Sequence, residues 1–118
     1  MMTDDLPKLI GRFARRIAFA HVRDVRGTRE CFAETFHDDG PTDMLACLRA
    51  YDQCGFDGVI RSDHVPTLAG DTTDVTGYSR QARLHALGYL AGLRDALGSE
   101  RPDAATHRTP GAVEGRDR

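Results

Sequence analysis

Apolar residues recur along this chain in two rhythms. Leu6, Leu9, Ile10 and Phe13 fall at i, i+3, i+4 and i+7, one stripe of a helix over residues 4–14. Thr3 or Asp4 can cap its start, and Arg15 and Arg16 suit the dipole at its end. Ile17 to Val22 is instead a nearly continuous apolar run, the pattern of a parallel strand covered on both faces. Residues 23–41 are polar and read as irregular, punctuated by Gly27, Gly40 and Pro41. A second helix follows over 43–54, with Met44, Leu45, Leu48 and Tyr51 as its stripe, Thr42 or Asp43 as its cap and Gly55 as its stop. Residues 58–62 form a second short strand, running into Asp63-His64-Val65-Pro66. After a polar loop over 67–77, a third helix spans about 79–97, with Leu87, Leu90, Leu93 and Leu97 near one face. Residues 99–118 are rich in Arg, Pro, Asp and Thr and bury little, so they read as a disordered tail behind one domain over 1–98.

Helix, strand, helix, strand, helix is an α/β order, and strands alternating with helices imply a parallel sheet. Two strands leave open edges and cannot by themselves cover both faces. Either the segment is one piece of a larger α/β protein, or it associates with something that completes the sheet.

Composition narrows the partners. The 118 residues are 40% hydrophobic and 29% charged with a net charge of -2, ordinary for a soluble domain. No apolar run approaches the roughly 18–20 residues of a membrane span, and the start lacks the pattern of a signal peptide. The mild acidity argues against a nucleic-acid surface. Lys8 is the one Lys among 16 cations, an Arg skew broad enough to reflect genomic composition. Three cysteines, Cys31, Cys47 and Cys54, are an odd number without metal-site spacing, which favours ordinary thiols and a reducing cytoplasm.

Both strands end in residues able to do chemistry: His21-Val22-Arg23-Asp24 after the first, Asp63-His64 after the second. In parallel α/β folds the carboxyl ends of strands carry the active site. His and Asp at neighbouring strand ends can form half of a divalent-metal site. Phe36-His37-Asp38-Asp39-Gly40 adds a polar cluster that also suits a plain turn, and Gly77-Tyr78 opens the last helix.

Four blocks resemble mannonate dehydratases: RIAFAHVRDV (16–25), CFAETFHDDGPTDMLACLRA (31–50), GVIRSDHVP (58–66) and GYSRQARLHALGYLAGL (77–93). They fall in family order with family-like spacing and together cover about 4–97. Ser62 stands where the family has Pro, Val65 where it has Gly and Asp24 where it has Asn. The resemblance implies a xylose-isomerase-like (β/α)8 TIM barrel. Such a barrel takes roughly 250 residues, so the implied portion is the C-terminal part, its last two parallel strands with flanking helices.

The implied activity is the Mn²⁺- or Fe²⁺-dependent dehydration of D-mannonate to 2-keto-3-deoxy-D-gluconate in hexuronate breakdown. The family's metal is held by two His, a Cys and an Asp; His21 matches the second His and Asp63 the Asp. The first His and the Cys belong to earlier strands, and none of the three cysteines here matches. His64 is then the expected general acid/base and Tyr78 a second proton-transfer or substrate-bonding group. Arg23 is a candidate for gripping the substrate carboxylate and His37 for a further substrate contact. The isolated chain is expected to be inactive and to self-associate or to need the remaining barrel. The alternatives are a non-catalytic remnant or completing subunit, and a piece of another sugar isomerase or epimerase of this fold.

Overall fold

The structure, a computed structural model, describes residues 5–71 and 77–100. Three helices and four strands follow one another: α1 (Leu6–Phe13), β1 (Phe19–Val22), β2 (Asp24–Gly27), β3 (Phe32–Thr35), α2 (Met44–Gln53), β4 (Val59–Ser62) and α3 (Arg80–Ser99). A short 3₁₀ turn, Ala14–Arg16, prolongs α1. β1 and β4 pair in parallel, with Phe19 opposite Val59 and His21 opposite Arg61. Asp63 carries the ladder one residue further by donating its N–H to the Val22 carbonyl at 2.8 Å.

The stretch expected to be irregular contains a hairpin. β2 and β3 run antiparallel, with Val25 opposite Glu34. Thr28 and Cys31 close the turn: the Thr28 N–H donates to the Cys31 carbonyl at 2.7 Å, and the Cys31 N–H to the Thr28 hydroxyl at 3.2 Å. Gly27 enters it at φ 127°, a conformation other residues rarely adopt. Few hairpin side chains are buried, so no apolar alternation advertised it.

Its anchor is Asp24, 2% exposed. The Asp24 carboxylate accepts from the Thr42 N–H at 3.1 Å and the Thr42 hydroxyl at 2.8 Å, tying the hairpin to the chain entering α2. A Cβ at Gly40 would collide with that carboxylate, which explains the glycine there.

Helix caps follow the local sequence. Asp5 caps α1 through Lys8 N–H; Thr3 and Asp4, expected in that role, lie outside the described residues. Asp43 caps α2, accepting from Ala46 N–H at 2.8 Å. Ser79 caps α3, accepting from Ala82 N–H at 3.2 Å and donating to Asp71. The helix runs through Gly98 to Ser99, beyond the expected stop near 97. Its buried stripe is Ala82, Ala86, Leu90 and Leu97, whereas the expected Leu87 is exposed. Small alanines let α3 approach Val65, just after β4, and Phe36 packs against this cluster. No helix among the described residues is long and apolar enough to cross a membrane. The expected disordered tail lies outside the described residues from 101 onward.

Candidate functional site

The parallel pair sets the site's frame. Side chains alternate along a strand, so Phe19 and His21 share a face of β1, and their rings lie 5.4 Å apart. His21 is near the carboxyl end of β1, and Asp63 follows directly on β4. The parallel register therefore brings them to one end of the sheet, His21 Nδ1 lying 4.0 Å from Asp63 Oδ1. His64 stands beside them, its Nε2 3.9 Å from the same oxygen.

Tyr78 arrives from the start of α3. Its hydroxyl lies 3.0 Å from His64 Nε2, with the two rings edge to face at 4.8 Å. Gly77 makes this approach possible: its φ is 84°, and a Cβ there would press to 3.2 Å on the His64 ring. The Val65 N–H donates to the Gly77 carbonyl at 3.4 Å, joining the two loops. The Arg83 guanidinium sits over the Tyr78 ring at 5.6 Å.

Arg23 reaches the same space but is engaged. Its Nε donates to Glu34 Oε2 at 3.0 Å and its Nη2 to Oε1 at 2.5 Å. That carboxylate is the main reason the guanidinium's pKa is raised. Glu34 also faces His64, with Oε1 3.5 Å from Nδ1. Sequence reasoning did not single out Glu34 as a site residue. Its signal was its place in the 31–50 block, three residues before His37, on a strand the polar pattern concealed.

His37 takes a different position. It is 2% exposed, with Nε2 3.0 Å from the Ser62 hydroxyl, while Nδ1 has no hydrogen-bond partner among the described residues. Burial pushes its pKa down, against the opposing pull of Asp24 and Asp38.

An imidazole nitrogen and a carboxylate oxygen suit a divalent first-row ion, and His21 and Asp63 are close enough to serve the same one. Among the described residues, however, no group of three or more His, Cys, Asp or Glu side chains gathers as a metal site. The pair fits such an ion by donor type and spacing.

Known proteins share this arrangement of chain. The family described as D-mannonate dehydratase (UxuA) matches residues 1–103. Mannonate dehydratase 1 of Bacillus licheniformis is 34% identical over 105 residues, covering 86% of this chain and 28% of that protein. Mannonate dehydratase of Enterococcus faecalis is 37% identical over 97 residues, covering 80% of this chain and 27% of that protein. The crystal structure of mannonate dehydratase from Streptococcus suis serotype2 superposes with a TM-score of 0.73 at 28% identity, over 80% of this chain and 28% of that one. The chain thus spans little more than a quarter of the length of the relatives it matches.

Proposed function

The chain belongs to the D-mannonate dehydratase family, and from that premise we propose that it forms the C-terminal part of a (β/α)8 barrel that dehydrates D-mannonate to 2-keto-3-deoxy-D-gluconate. The observation carrying this reading is the convergence of His21, Asp63, His64 and Tyr78 at the carboxyl end of one parallel strand pair. Barrel enzymes build their sites at that end.

Loss of water from a 2,3-dihydroxy acid needs a base for the C2 proton and an acid for the departing C3 hydroxyl. His64 and Tyr78 are the groups suited to hold and pass those protons, at Nε2 and the phenol oxygen, across 3.0 Å. His21 and Asp63 would hold the Mn²⁺ or Fe²⁺ ion beside them. When bound, that ion supplies Lewis-acid stabilisation for negative charge developing next to the substrate carboxylate. Arg23, with Nε and Nη2 on Glu34, would meet the carboxylate through Nη1. The substrate contact expected of His37 would require its Nδ1, buried here, to be uncovered. The remaining barrel supplies the other metal ligands and the rest of the pocket. Hexuronate breakdown in the cytoplasm is the setting this implies, with which three free thiols agree.

The test is a chimera in which residues 6–99 replace the matching segment of the B. licheniformis enzyme. A folded chimera should convert D-mannonate with added Mn²⁺, and Asp63→Ala or His64→Ala should each lower kcat by roughly 10²-fold or more. A folded, Mn²⁺-binding chimera that leaves D-mannonate untouched would overturn the assignment.

A further inference from the structure

The hairpin places a second carboxylate against the imidazole that the proposed chemistry uses, and no step above employs it. Glu34 is gripped from one side by the two-pronged Arg23 contact, at 3.0 and 2.5 Å. The Arg23 guanidinium is itself seated over the Phe32 ring at 5.2 Å, on the strand that carries Glu34. A carboxylate held at both oxygens by a planar fork has little rotational freedom. Its Oε1 then faces His64 Nδ1 at 3.5 Å.

We infer that Glu34 is a positioning residue for His64: it selects the tautomer with the proton on Nδ1, so that Nε2 accepts from the Tyr78 hydroxyl. An ionised carboxylate can only accept, so its place 3.5 Å from Nδ1 favours the tautomer with hydrogen on that nitrogen. In a neutral imidazole the other nitrogen is then an acceptor, and the group 3.0 Å away is the Tyr78 hydroxyl. In that tautomer the polar chain acquires a direction: Arg23 donates to Glu34, His64 Nδ1–H faces Glu34 at 3.5 Å, and Tyr78 donates to Nε2. One carboxylate pulls the other way, since Asp63 Oδ1 lies 3.9 Å from Nε2 and favours a proton there. Glu34 decides the balance because it is nearer, and because Tyr78 occupies Nε2. Arg23 acquires a role in holding Glu34, besides any grip on substrate.

The tautomer rests on the distances around His64 alone; its value for proton transfer rests on the dehydratase reading. The two are separable by experiment. The full 118-residue chain, labelled with ¹⁵N-histidine, is studied by two-bond ¹H–¹⁵N correlation at about pH 8.5, roughly two units above the ordinary imidazole pKa. His64→Gln assigns the signals. His64 should show Nδ1–H over Nε2–H by roughly tenfold, the lower end for a hydrogen bond to a charged group. Glu34→Gln should reverse the preference, because Asp63 then faces no rival carboxylate. Arg23→Lys, which keeps the charge and loses the fork, should weaken it. A predominantly Nε2–H His64 in the unsubstituted chain overturns the inference whether or not the variants fold. So does an unchanged preference in folded Glu34→Gln. An Nδ1–H tautomer alongside an inactive chimera would count against the dehydratase reading and leave the positioning role standing.

Discussion

Ser62 occupies the place where the resembled motif has proline, and its hydroxyl has a defined partner. It is 1% exposed and lies 3.0 Å from His37 Nε2. A proline could not make that bond. Among the described residues the His37 ring meets no partner at Nδ1, so its protonated form would bring a charge into a buried position. Burial accordingly lowers the His37 pKa below its ordinary 6.5, although Asp24 and Asp38 pull upward. The sign of the linkage is fixed. With the folded pKa below the unfolded one, the unfolded chain binds more protons in that interval, so stability rises with pH there. His37 therefore contributes stability that is present above about 6.5 and lost as pH falls through its folded value. Urea midpoints at pH 7.5 and 5.5 check this against His37→Gln, which stays neutral. The wild-type chain should lose more stability on acidification than the variant does. Equal losses would mean that His37 is not the titrating group.

Elements whose local sequence speaks for them were legible in advance. The parallel strand pair, the two shorter helices to within two residues at each end, and a cap at Thr42 or Asp43, which falls to Asp43, all follow from apolar spacing and capping chemistry. The same reasoning put His21 and Asp63 on neighbouring strand ends, because sheet topology alone decides that. The hairpin was illegible for a physical reason. Its strands are four residues each with half their residues exposed, and it is tied down by Asp24, Thr42 and a turn closed by Thr28 and Cys31. Such contacts leave no hydrophobic period. Glu34 was overlooked with the strand that carries it, and the buried character of His37 depends on long-range packing.

The turn makes the element testable. Gly27 sits at φ 127°, and a Cβ would collide with the Cys31 carbonyl. Gly27→Ala should cost about 1–3 kcal/mol of stability. Faster amide exchange should be confined to residues 24–35, while protection in α1 and α2 persists. Gly88→Ala in α3, where a Cβ meets nothing within 4 Å, should instead stabilise by roughly 0.5–1 kcal/mol. Similar effects from both substitutions would mean that the turn does not require the left-handed conformation.

The whole molecule presents apolar surface that its own core does not use. Among the described residues the buried apolar side chains are few and mostly small, with Val65, Ala82 and Ala86 clustered and Phe36 against them. Meanwhile Phe19 and Val59, opposite each other in register, are 63% and 67% exposed. They share the sheet face with His21, so the surface awaiting cover is continuous with the candidate site. On the proposed reading, a barrel formed with the remaining part of a relative would close over this face and bring further ligands to the proposed Mn²⁺ or Fe²⁺ ion. In a preparation of the 118-residue chain alone, neither happens. On the proposed reading His21 and Asp63 would furnish two ligands, whereas a catalytic ion normally takes about three from protein, supported by a surrounding shell. The substrate would also lack walls to orient it and exclude water, a loss on the order of 7–11 kcal/mol of barrier lowering in the best-oriented cases. The chain with Mn²⁺ and D-mannonate should therefore form 2-keto-3-deoxygluconate far more slowly than ~1 s⁻¹, the low end for ordinary enzymes. It should sediment as more than a monomer, because open strand edges and an exposed apolar face favour association. Phe19→Lys should shift it toward monomer, since that charge lies on the exposed face. Turnover at or above ~1 s⁻¹ would show that associated copies rebuild a working pocket from two strands each, and the incomplete-site argument would fall.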